Sequence, residues 1–446
     1  YLCSETQERF MWVSPPDLTE KIVTHYNKTF DLPGVSSGAR ASVIGKIRSN
    51  KQYTVHNNGE KIIDVPAEEV TKGFLYDRPY ENPNHQFIEP ELSETADCNT
   101  ILKKMLSHEN IASRSVVYES YDKQVQGRTI TEAGKSDSGV MAPFNSDDYP
   151  EEIRKVGIAL STDHNPRHSI ISPYLGGVNA VVEAMRNVAS VGATPHAVSD
   201  CLCFGNPEKP HQMWEFVEAV RGVSDACNAI TLKDNQEHST PIIAGNVSFY
   251  NESKSGAIPP SPIVSCLGRI NNIEKTITMS LKNADNVVLM IGARKNELGG
   301  SLFYDLHGEL GANVPTPDLN EAKNQVYAIT DCIDQILLSS CHDISDGGIA
   351  TALSEMTFEN NIGLCVTIPG DLAIEKLLFT ETGGFVIEID EKSLSQVESV
   401  LQGYDLDCYN IGTTTKEPKI SINDSIYISV EEAKHLWDNG LRNKIK

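Results

Sequence analysis

The sequence is short of positive charge. Its 446 residues carry 38 Lys and Arg against 61 Asp and Glu, a formal net charge of −23. With no basic stripe to neutralise phosphates, neither nucleic acid nor an anionic membrane suits it as a main partner. Phosphate-bearing small molecules stay open, because Mg²⁺ and backbone N–H groups can hold them locally. No run of about 18 or more apolar residues occurs, so no transmembrane helix is expected, and no stretch reads as a signal peptide. The ten Cys form no CxxC pair. Scattered thiols in a long chain read as reduced and cytoplasmic. Cys201 and Cys203 alternate in one apolar stretch, which suggests strand positions more than a metal site. Neither GxxxxGK[ST] nor a clear GxGxxG is present, so neither a P-loop nor a Rossmann site is supported.

What is there suits two to four domains, with 39% hydrophobic residues and ample material for cores. Residues 1–70 mix strand-like runs ("RFMWVSP", "ASVIGKI") with a helix ("DLTEKIVTHYNKTF", Asp17 as N-cap). "YTVHNNGEKIIDVP" predicts a hairpin, since Asn-Gly between apolar runs favours a type I′ turn. Residues 73–109 read as a Pro/Asn/Glu-rich linker. Within 110–275, "VGIALSTD", "HAVSDCLCFGNP" and "TPIIAGNVSFYNES" are strands. Two helices accompany them, one with an apolar face at Val178, Val181, Val182, Met185 and Val188, the other at Met213, Phe216, Val217, Val220 and Cys227. Within 276–446, "ADNVVLMIGA" and "ILLSSCHD" are buried strands, and "DGGIATALSEMTFEN" is a helix with Asp346 as N-cap.

The chain also repeats itself. "LCSETQERFMWV" pairs with "LFTETGGFVIEI", "SVIGKI" (42–47) with "YNIGTT" (409–414), and "VHNNGEKIIDVPAEEV" (55–70) with "ISINDSIYISVEEA" (420–433), in the same order. The first stretch, 1–72, is therefore expected to be the C-terminal part of a domain that 276–446 displays whole, its front lying outside this chain.

Four stretches offer chemistry. In "AGNVSFYNES", Gly245 permits close backbone approach, Asn246 offers a hard oxygen suited to Mg²⁺, and Ser248 points the same way if the segment is extended. A strand-end turn is the plainer reading of that Gly-Asn pair. In "SDCLCFGNPEKP", Asp200 either accepts from a nucleoside or caps a turn. "STDHNPRHSIISPYLGG" groups His164, Arg167 and His168 before a Gly-Gly helix start, a plausible anion site. "CHDISDGG" offers His342, Asp343 and Asp346, for which a βα turn is favoured over a metal or nucleotide contact. Glu5, Thr6 and Gln7 form a polar turn whose second copy keeps Glu381 and Thr382 but not the Gln, so one copy is expected to bind something that the other does not.

Taken together, "SETQER", "YDKQVQGRT", "PYLGGVNAVVEAMRNVASVGATPHAVSDCLCFGNPEKP", "GNVSFYNES", "NELGGS" and "HDISDGG" resemble the phosphoribosylformylglycinamidine synthase family, of the aminoimidazole ribonucleotide synthetase superfamily. The resemblance implies an α+β, layered α/β fold of duplicated two-domain (A-B) units with the first unit truncated: 1–72 ending a first B domain, 73–109 a linker, 110–275 a second, barrel-forming A domain, and 276–446 a second B domain. It implies a cytoplasmic, ATP- and Mg²⁺-dependent ligase of purine biosynthesis that amidinates formylglycinamide ribonucleotide through an iminophosphate. Its partners would be a glutaminase supplying ammonia, a small accessory subunit and the remainder of the same protein. Carried over by position, Asp200 and Gly245 would contact ATP, Asn246 would bind Mg²⁺, and Glu5, Thr6, Gln7 and Ser248 would bind substrate, with Thr6 where the family has Ser. The family's catalytic His falls outside this chain, which would be inactive alone. His164, His168 and Asp343 would occupy a nucleotide-holding or structural pseudo-site. Another ATP-using synthetase or kinase of the superfamily, or a non-catalytic nucleotide-binding scaffold, are the competing readings.

Overall fold

A computed structural model describes residues 9–73, 75–92 and 97–445. The chain forms two units, Tyr1–Asp77 and Arg78–Lys446. In the first, β1 (Gln52–Asn57) and β2 (Glu60–Pro66) make the expected hairpin. Asn58 and Gly59 both take left-handed conformations, with φ of 50° and 88°, as a type I′ turn demands. Helix α1 (Pro16–Thr24) runs on into a π-turn, and Pro15 rather than Asp17 precedes it; Asp17 sits in the first turn, where a negative charge suits the helix dipole. The expected strands at 9–15 and 41–47 do not form. Their β propensity is real, but a strand needs a ladder partner, and the described residues of this unit supply none. Phe10 and Trp12 are accordingly 85% and 65% exposed.

The hairpin's second copy bears out that part of the repeat. In the second unit, β14 (Lys419–Ile422) and β15 (Ile426–Ser429) join through a three-residue turn whose Asn423 and Asp424 are again left-handed, and lead into helix α9 (Val430–Gly440), just as β2 leads into α2 (Ala67–Lys72). "YNIGTT" likewise lies on a strand, β13 (Cys408–Thr415), flanked by two partners. Its counterpart at 42–47 stays irregular.

Two sheets organise the second unit. The six-stranded sheet has the order β3 (Thr129–Thr131), β4 (Gly139–Met141), β5 (Gly157–Asp163), β8 (Ser261–Ile270), β6 (Thr194–Cys203), β7 (Ile242–Ser248). Along β8 buried residues alternate with more accessible ones, the mark of a sheet covered on one face. The seven-stranded sheet has the order β10 (Ser340–Ile344), β12 (Gly384–Ile389), β9 (Val287–Ile291), β13, β11 (Gly363–Val366), β14, β15. Its inner strands β9 and β12 are buried at every position, which explains the unbroken apolar run of β9 and leaves Glu388 as the one charged residue of β12.

One core spans both sheets. Helix α5 (Pro173–Ser190) contributes Val178, Val181, Met185 and Val188; helix α7 (Leu319–Asp334) adds Val326 and Ile329. They meet Val264 and Cys266 of β8 together with Leu289, Phe385 and Ile387 of the seven-stranded sheet. A second core covers the other face of that sheet with α8 (Gly348–Met356), α9 and α3 (Cys98–Leu106). Helix α3 lies inside the stretch read as linker. It buries Ile101, Leu102, Met105 and Leu106 and is capped by Asp97, which accepts from Thr100 N at 3.1 Å. Residues 271–286 join the two sheets, and the last five are pinned by Glu388 of β12. Its fully buried carboxylate accepts from Lys282 N, Asn283 N, Asn286 Nδ2 and Ser340 Oγ at 2.8–2.9 Å. No helix of the described residues is long and apolar enough to cross a membrane.

Helix α6 (Pro210–Ala229) packs on α5 through Ala219, Gly222, Val223 and Ala226, while Met213, Phe216, Val217 and Val220 are only half-buried. The contact face is thus a row of small residues beside the expected apolar one. A methyl group on Gly222 would run into the Tyr174 carbonyl, and one on Gly177 into that of Ala219. Gly222→Ala should therefore lower stability by about 1–3 kcal/mol through overpacking, read as a thermal midpoint several degrees lower. An unchanged midpoint would show that the helices part without cost.

Candidate active site

The parallel pairing of β6 with β7 sets Asp200 beside Gly245, Cys201 beside Asn246 and Cys203 beside Ser248. The sheet's alternation then sorts these residues. Asp200 shares a face with the buried Val198 and Leu202. It lies against Gly245 so closely that a β-carbon there would sit 2.7 Å from the Asp200 carboxyl carbon. Burial pushes the Asp200 carboxyl up from its ordinary range. Asn246 and Ser248 take the opposite, accessible face. Asn246 Nδ2 reaches Cys201 Sγ at 3.5 Å, which leaves its side-chain oxygen available as a hard ligand. Ser248 Oγ exchanges hydrogen bonds with the Asn251 side chain at 3.1–3.3 Å. The strand pair thus gathers Asp200, Gly245, Asn246 and Ser248, two to each face. Asn246 fits one position in a magnesium shell, since that ion takes few protein oxygens and completes its octahedron with water and phosphate. Glu5, Thr6 and Gln7 lie outside the described residues.

A second cluster, between α5 and the seven-stranded sheet, holds His164, His168 and Asp343. Arg186 of α5 stands 3.6 Å from Asp343 and 3.5 Å from Glu183. His168, on helix α4 (Pro166–Ile171), faces Glu381 at 3.6 Å. Asn187, oriented to donate, reaches both Asp343 oxygens at 3.2–3.3 Å. His342 is held between Asp137 at 2.7 Å and Glu355 at 3.0 Å, and these carboxylates raise its pKa well above the ordinary value against the opposing effect of burial. Asp137, His342 and Asp343 could converge on a cation. Two carboxylates flanking one ring fit a buried imidazolium better than a ligand set for Mg²⁺, which prefers oxygen.

Several expectations change here. Gly347, not Asp346, precedes α8, and Asp346 instead accepts from Asn165 Nδ2 at 3.2 Å. The Gly-Gly start of α5 is no vacant anion site. Ser172 caps it, accepting from Leu175 N. Gly176 and Gly177 serve close packing against Ser169 and Ala219. The second-copy turn is a buried latch, in which Glu381 Oε1 accepts from Leu302 N at 2.8 Å and Gly347 N at 2.9 Å, and Thr382 Oγ1 donates to Glu297 at 2.7 Å. The sequence reading passed over Asp163, Glu183 and Arg186. The available signal was Glu183, Arg186 and Asn187 at i, i+3 and i+4 on an otherwise apolar helix.

Residues 137–270 match the model for AIR synthase related protein, N-terminal domain, and 283–425 that for the C-terminal domain. Together the two matches cover more than half of the chain, which belongs to the AIR synthase related family. It is 42% identical to subunit PurL of that synthase from Methanothrix thermoacetophila, over 100% of this chain and 58% of the relative. It is 34% identical to PurL from Methanocaldococcus jannaschii, over 97% and 58%. The chain therefore spans less than two-thirds of the length of these curated relatives. Among solved structures, T. maritima PurL complexed with FGAR aligns with a TM-score of 0.60 at 17% identity, over 76% of this chain and 54% of that one. PurLQS from Thermotoga maritima aligns with a TM-score of 0.57 at 17% identity, over 77% and 52%. At such identities the likeness is one of fold.

The second cluster makes stability depend on pH. Burial is the main cause that pushes Asp163 up to about 8, Asp343 to about 7 and Asp346 to about 6, and that raises Glu183 well above its usual range. These carboxyls hold protons in the folded state that the unfolded chain releases near pH 4, so their contribution fades as pH rises from about 4 through these values. His164, pushed down to about 4 by burial, acts oppositely and costs stability as pH falls below about 6.5. Asp163→Asn should reduce the fall in thermal midpoint between pH 6 and pH 8.5 by several degrees. Parallel pH profiles for mutant and wild type would rule out Asp163 as a titrating group.

Proposed function

We propose that this chain contributes to the ATP-dependent amidination of formylglycinamide ribonucleotide to the formylglycinamidine ribonucleotide, a step of purine biosynthesis in the cytoplasm. The observation that carries the reading is the β6–β7 strand pair. It sets a carboxylate over a glycine and, on the other face, a hard amide oxygen two residues from a hydroxyl, at the positions where the family resemblance requires nucleotide, metal and substrate contacts. Support also comes from relatives that align over 97–100% of the chain and carry the synthase name, and from the T. maritima PurL structures complexed with FGAR and with AMPPCP, the latter with a TM-score of 0.54.

In this reading Asp200 accepts from the nucleoside of ATP. Gly245, lacking a side chain, lets the strand approach it. Asn246 supplies a magnesium ligand and Ser248 a ribonucleotide contact, a substrate-binding role that the resemblance also gives to Glu5, Thr6 and Gln7. Magnesium, when bound, offsets the charge of the phosphates. ATP phosphorylates the amide oxygen of the substrate, and ammonia from a glutaminase partner displaces that phosphate. The structure named PurLQS and the resemblance suggest that glutaminase and a small accessory subunit assemble with the complete protein. Residues 1–72, 110–275 and 276–446 then serve as the end of a first B domain, a second A domain and a second B domain.

With the complete protein, ATP, Mg²⁺, ammonium and the ribonucleotide, Asn246→Ala should cut phosphate release at least about 10- to 100-fold; wild-type turnover would overturn the site assignment. The 446-residue chain alone, given the same mixture, should release no substrate-dependent phosphate. Clear turnover would show that the site is complete within it.

A further inference from the structure

The alternation of Cys201 and Cys203 does put both on a strand, and the strand gives them a joint geometry. Both side chains project from the accessible face of β6, and their sulfurs stand 3.7 Å apart. Both thiols are free and partly accessible. Asn246, their neighbour across the parallel ladder, touches the Cys201 sulfur through its amide. Two sulfurs bound about 2.3 Å from a tetrahedral zinc ion stand about 3.8 Å from each other. The two thiols therefore already have the bite of a chelate. Direct oxidation suits them less well. Residues i and i+2 of a strand lie about 6.4–6.8 Å apart, at the far limit of the Cα separation that a disulfide tolerates.

We propose that Cys201, Cys203 and Asn246 form a binding site for a thiophilic divalent cation of the zinc class. Each thiol gives its proton to solvent, and each sulfur donates an electron pair to the metal, so no oxidant is needed. The Asn246 amide turns its oxygen toward the metal as a third ligand, and water fills the fourth position. Soft sulfur ligands favour zinc over magnesium. Metal binding displaces the thiol protons to solvent. Where the proposed function holds, zinc here would also withdraw Asn246 from magnesium. The binding itself does not depend on that reading.

The test uses the full 446-residue chain, reduced and freed of metal. Titration with Zn²⁺ against a chromophoric chelator should show one tight site. Titration with Co²⁺ should give near-ultraviolet thiolate-to-cobalt charge transfer. Cys201→Ser and Cys203→Ser, with circular dichroism confirming their fold, should each weaken zinc binding about 100-fold and reduce that absorbance. Cys365→Ser, which removes an exposed thiol from β11, should leave both unchanged. Wild-type affinity in both serine variants of the pair, or no charge-transfer band in the parent chain, would overturn the proposal.

Discussion

The second unit depends on the burial of α5 between two sheets. Fourteen of its 18 residues are buried, and they serve one core that neither sheet could complete alone. A helix so enclosed should be apolar all round, yet it carries Glu183, Arg186 and Asn187. Those side chains are tolerable only because the facing strand and loops bring Asp343 and the backbone of Ile344 to meet them. Removing one member would strand a charge inside the protein, the case in which a buried pair matters most. The polar cluster and the packing of the helix are therefore a single arrangement.

The strand pair β6–β7 follows from the same plan. Helix α6 covers the sheet while returning the chain from β6 to its parallel neighbour, a connection that antiparallel hairpins do not need. Small residues let α6 lie close against α5, and that closeness fixes where β7 arrives. The register of one residue pair then places Asp200 against Gly245 and turns Asn246 to the other face. A slip of one residue would exchange the two faces.

Much of the architecture was legible. An unbroken apolar run announced the inner strand β9, the run at 336–343 announced β10 although the strand begins only at Ser340, and Asn58–Gly59 announced the hairpin with its turn type. Legibility failed where a local preference lacked a partner. The runs at 9–15 and 41–47 have strand composition but no ladder, whereas α3 was hidden by its polar surroundings despite four apolar residues at helical spacing. The motif around Asn246 was visible as residue types. Its adjacency to Asp200 was not, because about 45 residues separate them and only the strand order joins them. The roles of Glu381 and Gly177 turned on contacts far away in sequence. No local rule distinguishes a binding turn from a buried latch.

Glu388 has a consequence of another kind. The two family domains meet at residues 271–282, where a comparison of sequences would draw a boundary. At the end of that stretch the buried carboxylate of Glu388 holds Lys282 N at 2.8 Å, and Leu281 N bonds to the Met356 carbonyl at 2.9 Å. The seam between the two matched domains is thus pinned at its C-terminal end by buried hydrogen bonds. The two matched domains share one interior, and a cut at the seam would leave two halves each missing a wall of it.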